Sequence, residues 1–323
     1  MLQFVIRRVL YSVVVLVAAS FLVFFFVTAS GDPLAGLRIT PNVSKLTVKN
    51  IEERKHLNEN VFVRYGYWAK DAVTNNFGTT LLTNEPILPD LWRVMKNTFQ
   101  LLIAAQLLAV LFGVAIGVYS ALRQYSVFDY SATTFSFLGI ALPVFWIALM
   151  LQVAVVQIYL ASGHRLFPVA SLNDVDPGSG ISFVIDRAHH LALPVLVLTI
   201  AGMATYSRYM RASMLEVVNS DYVRTARAKG LRESRVTMKH AFRNALIPIV
   251  TLVALDFGAL MAGVVVTETV FAIPGIGRLT VDAILRRDYP IIQAVTLLFS
   301  AAYVLVNLAV DMSYTLLDPR IRY

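Results

Sequence analysis

The stretch "DYVRTARAKGLRESRVTMKHAFRN", Asp221–Asn244, crowds basic residues around a single glycine. It lies between two runs apolar enough to sit in lipid, so its reading depends on its surroundings and theirs depends on it. The chain has 323 residues, of which 57% are hydrophobic and only 15% charged, with a formal charge of +8. A soluble domain averages about 45–50% apolar and about 25% charged. The composition therefore points to an all-α integral membrane protein. In such a protein a basic excess marks loops retained on the cytoplasmic side rather than a nucleic-acid surface. Cysteine is absent, which excludes disulfides, thiolate zinc sites and thiol nucleophiles.

Working outward from the basic block, six stretches reach the ~20 apolar residues that cross a hydrocarbon core of ~30 Å. They are Val9–Ala29, Thr98–Leu122, Ser131–Leu160, His190–Tyr209, Ala245–Phe271 and Pro290–Leu317. The first, "VLYSVVVLVAASFLVFFFVTA", exceeds the ~7–15 apolar residues of a secretory signal, so it reads as an uncleaved anchor. With the N-terminus inside, the cytoplasmic segments hold 14 basic residues, 9 of them between Ser207 and Asn244. The short outer loops hold only Arg165, Arg187, Arg278, Arg286 and Arg287. This bias predicts six spans with both termini cytoplasmic. Ser30–Asn97 is then an outer segment, in which Tyr65, Tyr67 and Trp68 suit the headgroup level and Asn42-Val43-Ser44 matches a glycosylation pattern. The expected divisions are residues 1–29, 30–97 and 98–323, with the cytoplasmic loop at about 211–246.

Within the block, Ser220 or Asp221 is expected to cap a helix start, and Gly230 to end that helix in the left-handed conformation. A second helical pattern opens at Glu233, with Val236, Met238, Ala241, Phe242 and Ala245 at helical spacing; Pro248 leads into span five. Three uses compete: reading DNA, lying on anionic lipid, or docking a cytoplasmic partner. A lipid strip calls for bulky apolar residues on its inner face, whereas this block has alanines. Ala226, Ala228 and Gly230 offer little bulk and Leu231 an apolar knob, ringed by Arg224, Arg227, Lys229 and Arg232. Docking fits these residues best.

The block resembles the EAA loop of ATP-binding-cassette importer permeases, whose pattern is Glu-Ala-Ala, three residues, then Gly. Here the positions read Arg224, Thr225, Ala226 and Gly230, and the loop's later Ile-x-Leu-Pro falls on His240, Phe242 and Arg243. The chain as a whole is similar to the oligopeptide, dipeptide and nickel branch of these permeases. That likeness rests on "YVRTARAKGL", "HAFRNALIP", "NNFGTTLLTNEPI", "NTFQLLIAA", "LPVFWIAL", "SRYMRASMLEVV", "ETVFAIPGIGRL", "AILRRDYPIIQA" and "DMSYTLLDPRIR". Leu37–Glu59 has no counterpart of the family's Gly-Leu-Asp-x-Pro sequence, so binding-protein contacts there lose their basis. The resemblance implies a type I importer half in the lipid bilayer that pairs with a second, similar permease. It further implies two ATPase subunits below, which use ATP and Mg²⁺, and an extracytoplasmic substrate-binding protein that delivers peptide. Arg224–Arg232 would be the element that meets an ATPase.

A non-catalytic chain agrees with the rest of the sequence. The dipeptide Gly-Lys never occurs, so the phosphate-cradling Gly-x4-Gly-Lys-Ser/Thr loop is missing and no cofactor is expected on this chain. The five histidines form no H-E-x-x-H zinc pattern, and no metal is expected. Asp256, Glu268 and Asp311 fall in or at the edge of spans, where a charge costs about 2.5–3.5 kcal/mol at mid-helix on insertion scales. Asp256 is the candidate pathway residue, to meet a peptide amino terminus, or else a hydrogen bond to a neighbouring helix. Glu268 suits a structural pairing near the outer surface as well as substrate contact, and Asp311 a pairing with arginine. "PGIG", with Pro274, Gly275 and Gly277, leads into a short outer helix and reads as a gate or a plain connector. Gly113 and Gly117, and Gly258 and Ala262, are small-xxx-small pairs that bring helices close, and Pro143 is expected to kink span three. The competing readings are a secondary transporter driven by an ion gradient, a carrier of nickel or other small cargo, and a membrane-tethered nucleic-acid binder.

Overall fold

With water absent from hydrocarbon, each backbone amide must find its partner within its own segment, and helices do this without help. The computed structural model describes residues 2–39, 43–74 and 77–317, apart from the side chains of 2–5, 254, 257, 259, 262 and 310–317. The helices are α1 (Leu2–Ala29), α2 (Ala35–Arg38), α3 (Lys45–Arg54), α4 (Val61–Thr74), α5 (Ile87–Leu122), α6 (Val127–Ala141) and α7 (Val144–Ser162). They continue with α8 (Ile181–Val218), α9 (Asp221–Ala228), α10 (Glu233–Arg235), a π-helical turn (Val236–Phe242), α11 (Arg243–Ala245), α12 (Ile247–Val270), α13 (Ile276–Arg286) and α14 (Tyr289–Leu317). Extended pairing among the described residues is limited to one isolated bridge, Thr79 with Pro86. Among the described residues, five helical stretches are long and apolar enough to cross a membrane: Ile6–Ala29, Ile87–Leu122, Val144–Ser162, Ile181–Val218 and Tyr289–Ala309. Asp311 and Asn42 lie outside the described side chains.

The chain divides into two compact units. One comprises Met1–Lys96 and Gly275–Leu308. In it Ser44 caps α3, its hydroxyl accepting from Thr47 N–H at 3.0 Å. Leu34, Val48, Ile51 and Leu81 close a small core beneath α3. The aromatic patch of α4 lies against α1: Tyr65 meets Phe21 edge-on at 5.1 Å and Phe24 at 5.5 Å, and its hydroxyl lies 2.9 Å from that of Ser20. Asp288, buried just before α14, accepts from Leu81 N–H at 3.3 Å, which pins the segment before α5 to the start of that helix.

The other unit comprises Asn97–Pro274 and Ala309–Arg322. It is organised on α8, which packs against α6, α7 and α12. With 38 residues, α8 is about 57 Å long, well beyond the ~30 Å core, so one helix carries both membrane and extramembrane residues. Its seam with α5 is glycine-lined. A Cβ on Gly113 would stand 2.6 Å from Tyr206 Cβ, and one on Gly117 2.6 Å from the Ser207 carbonyl oxygen. The small-xxx-small reading of that pair therefore has a physical basis; Gly258, by contrast, is exposed.

Span three differs from expectation. Pro143 does not kink one helix but separates two: α6 ends at Ala141 and α7 opens at Val144. Leu142 is extended (φ −85°, ψ 129°), as the residue before proline prefers, and Pro143 serves as the N-cap of α7. Pro194 lies inside α8, which runs on without a break.

Gly117→Leu forces side-chain bulk into contact with α8 backbone. The expected loss is about 1–3 kcal/mol, the usual cost of overpacking, read as a lower melting temperature of the purified chain in detergent; Gly66→Ala, with open space around it, is the matched control.

Candidate functional site

The basic block folds as a compact elbow. α9 ends in a Schellman motif: Gly230 N–H donates to the Arg227 carbonyl at 2.9 Å and Leu231 N–H to the Ala226 carbonyl at 3.4 Å. That closure requires the left-handed Gly230 (φ +75°). The N-cap differs from expectation. Ser220 occupies the position, but its hydroxyl donates backward to the Val217 carbonyl at 2.6 Å instead of accepting from the first turn. The second helix also departs from plain α geometry. Val236–Phe242 is π-helical, and the wider turn brings Val236, Thr237 and Ala241 inside while leaving Met238 57% exposed. Such turns are rare and recur at functional positions.

The elbow's outer and inner faces separate cleanly. Ala226, expected on the surface for a partner, is buried against Val223, Val236, Ala241 and Ala245 of its own chain. Its small size serves internal packing. Leu231 is half-buried on the same cluster, so it is no free knob. Arg224, Arg227, Ala228, Lys229, Gly230 and Arg232 remain exposed. Arg227 clips the two arms together, its guanidinium 2.8 Å from the Glu233 carboxylate; the bond lifts the arginine and lowers the Glu233 carboxyl relative to their ordinary values. Asn244 donates to the Tyr222 hydroxyl at 3.0 Å, and Ser213 donates to the Ala245 carbonyl at 3.0 Å, which anchors the elbow to α8.

An ion pair on a buried carboxylate braces the same end of α8. Arg211 donates to both Asp129 oxygens at 2.6 and 2.8 Å. Asp129 also accepts from the Ser120 hydroxyl and Tyr125 N–H, each at 2.9 Å. Sequence reasoning missed the pair because its members are 82 residues apart.

Within α12, Asp256 is half-buried and interacts with the hydroxyl of Tyr206, which also accepts from Gln106 Nε2 at 2.7 Å. The Gln106 Oε1 atom is buried without a partner. α5, α8 and α12 thus bring three polar side chains together. Only the carboxylate stood out in the sequence; Gln106, a lone amide in an apolar run, was the further signal. Glu268 is fully buried and accepts from the Thr98 hydroxyl at 2.5 Å, so it faces protein and not an open path.

At the other end, Pro274 is exposed while Gly275 and Gly277 are buried, and Ile276 and Gly277 already form the first turn of α13. The Pro274 carbonyl accepts from Asn97 Nδ2 at 2.7 Å, and Asn97 accepts in turn from Arg187. Arg187 also donates to Asn173 and Gln100. Nearby, ligand atoms of Asp174, Asp186 and His190 lie within 4.8 Å of one another. Arg165 already occupies Asp174 at 2.9 Å, and Asn173 occupies Asp186 at 2.9 Å.

Two family models cover nearly the whole chain: "Binding-protein-dependent transport system inner membrane component" over residues 113–323 and the corresponding N-terminal model over residues 1–108. The chain belongs to this family. It is a multi-pass inner-membrane transport component. Among its relatives, the oligopeptide transport system permease protein AppB of Bacillus subtilis (strain 168) is 38% identical over 325 residues, covering all of both chains. The dipeptide transport system permease protein DppB of Alkalihalophilus pseudofirmus is 38% identical over 338 residues, again covering both completely. DppB of Escherichia coli (strain K12) is 34% identical over 343 residues, covering 100% of this chain and 99% of that one.

Arg211→Met leaves Asp129 buried without its cation, and the expected loss is about 3–5 kcal/mol. The double variant Arg211→Met with Asp129→Leu should recover most of it. Both are read as melting temperature in detergent, and equal losses in the single and double variants would contradict the assignment.

Proposed function

We propose that this chain is the transmembrane permease subunit of an ATP-driven, binding-protein-dependent peptide importer, with six spans and cytoplasmic termini. α12 supplies the sixth span, and α6 with α7 form one crossing interrupted at Pro143. The observation that carries the reading is the elbow Asp221–Arg235: a rigid, basic, solvent-facing bend fused to the end of α8 in a chain whose full-length relatives are named as peptide permeases. A second, similar permease completes the pathway, two ATPase subunits bind ATP and Mg²⁺ below, and a substrate-binding protein delivers peptide outside. This chain binds no cofactor and performs no catalysis.

The elbow is the coupling element. Its exposed face, Arg224, Ala228, Lys229, Gly230 and Arg232, meets an ATPase, while Ala226 and Leu231 transmit the contact inward through the buried cluster. Ser213 joins that cluster to α8 and the Asp129–Arg211 pair ties α8 to α6, so displacement of the elbow moves α8 as a body. ATP shifts the inward- and outward-facing populations only through different affinities for the two states, and the elbow carries that difference between subunits. Asp256, with Tyr206 and Gln106, lines the pathway and meets the cationic amino terminus of passing peptide. Pro274, Gly275 and Gly277 belong to the outer gate.

Gly230→Asp tests the coupling face. Space around Gly230 is open, and aspartate tolerates the left-handed conformation better than most residues, so the chain should fold and reach the membrane. Co-purification of the ATPase is expected to fall at least tenfold, with loss of peptide uptake; undiminished co-purification would refute the docking role. Asp256→Asn should leave the complex assembled and shift uptake between basic and neutral peptides. An unaltered uptake profile would remove Asp256 from the pathway.

A further inference from the structure

In the unit formed by the N-terminal region and residues 275–308, a cavity of about 100 Å³ opens among the loop after α3, helix α4 and the start of α14. It is small against the roughly 300–1,000 Å³ of pockets that enclose whole organic ligands, a size that suits one charged group. Its charged lining residues are Arg54, Lys55, Arg64 and a single acid, Asp71.

Asp71 and Asp288 lie near Lys55, whereas no acid acts on Arg64 among the described residues. The Arg64 guanidinium is half-buried, yet makes no hydrogen bond or ion pair among the described residues. Lys55 donates to the Thr79 carbonyl and hydroxyl, both at 2.7 Å, which leaves one of its three N–H groups over. Burial pushes this lysine down to about 8. Trp68 lines the same cavity, and its indole N–H is buried without an acceptor. Two further lining residues, His56 (φ +53°) and Phe77 (φ +68°), are held in left-handed backbone that side chains rarely adopt. Strain of this kind persists only where the surroundings enforce it, and it gathers at ligand sites.

Three unfilled donors around one small cavity call for an oxyanion. A guanidinium grips phosphate through paired N–H bonds, and an ammonium and an indole N–H complete the set. The flanking residues indicate the source. Phe24 lies one turn and a half from the end of the apolar helix α1, and Tyr289 and Pro290 begin the apolar helix α14. With Tyr65, Tyr67 and Trp68 alongside, this is the aromatic environment of a membrane interface. We propose that the cavity binds the phosphate group of an anionic phospholipid headgroup, held by Arg64, Lys55 and Trp68. This inference rests on the membrane placement of the chain and not on its cargo.

The full-length chain, purified in mild detergent from lipid mixtures of phosphatidylcholine and phosphatidylglycerol, tests it by native mass spectrometry. Wild type should retain one phosphatidylglycerol per chain through extended washing. Arg64→Gln should cut that occupancy at least tenfold without lowering the melting temperature in phosphatidylcholine alone, because it removes an unpaired charge; Trp68→Phe should give a smaller loss. A second arm titrates inorganic phosphate: a saturable rise in melting temperature that Arg64→Gln abolishes, with no retained lipid, keeps the site and makes free phosphate its source. Equal lipid retention and equal phosphate response in wild type and Arg64→Gln overturn the proposal. So does an Arg64→Gln variant that unfolds and is rescued by Arg64→Lys with retention unchanged, since the arginine is then structural.

Discussion

The close approach of α5 and α8 governs the larger unit. Where Gly113 and Gly117 face Tyr206, Ser207 and Met210, neither position has room for even a methyl group. Lipid tails are as apolar as leucine, so helices in hydrocarbon gain little from hiding apolar surface; contact and hydrogen bonding must hold them together. Small residues make both possible here. The same seam brings Tyr206 within reach of Gln106, while on its α6 side α8 lets the Ser136 and Ser207 hydroxyls meet at 2.8 Å and Arg211 reach Asp129.

α8 is consequently the member through which distant parts communicate. One end carries Arg187, tied to Asn97, Gln100 and Asn173. The middle carries the Tyr206 cluster, and the other end is tied to α6 through Arg211 and to the elbow segment through Ser213. A helix of about 57 Å whose polar attachments are concentrated at three levels can move as one body. This is the property that a coupling element requires.

The elbow depends on a different economy. Its charge lies outside, and its cohesion comes from alanine and valine packed at zero or near-zero exposure. The π-helical turn adds a residue to the circuit, turning Val236 and Thr237 inward together and releasing Met238 to the surface. A cluster made of such small side chains keeps α9 close to the following segment, so the exposed arginines and Lys229 are presented from a stiff base.

Much of this was legible from residues alone, because the governing physics is local. Apolar length marked five of the six expected spans, Gly230 marked the left-handed turn, and the Gly113–Gly117 spacing marked a close helix approach. Matters of direction and partnership were not legible. Ala226 and Leu231 turn inward because a π-helical turn, invisible in the hydrophobic pattern, lies opposite them. Asp129 pairs with a residue 82 positions away, and Leu142, its N–H still bonded to the Leu138 carbonyl at 3.1 Å, turns extended before Pro143 and so ends α6. The sequence by itself determined that the chain is helical, membrane-spanning and net basic, since apolar length and charge are sums along the chain. Which charges are paired, which small residues face inward, and which donors are left waiting around Arg64 were decided only when distant segments met, because burial and hydrogen bonding are properties of pairs.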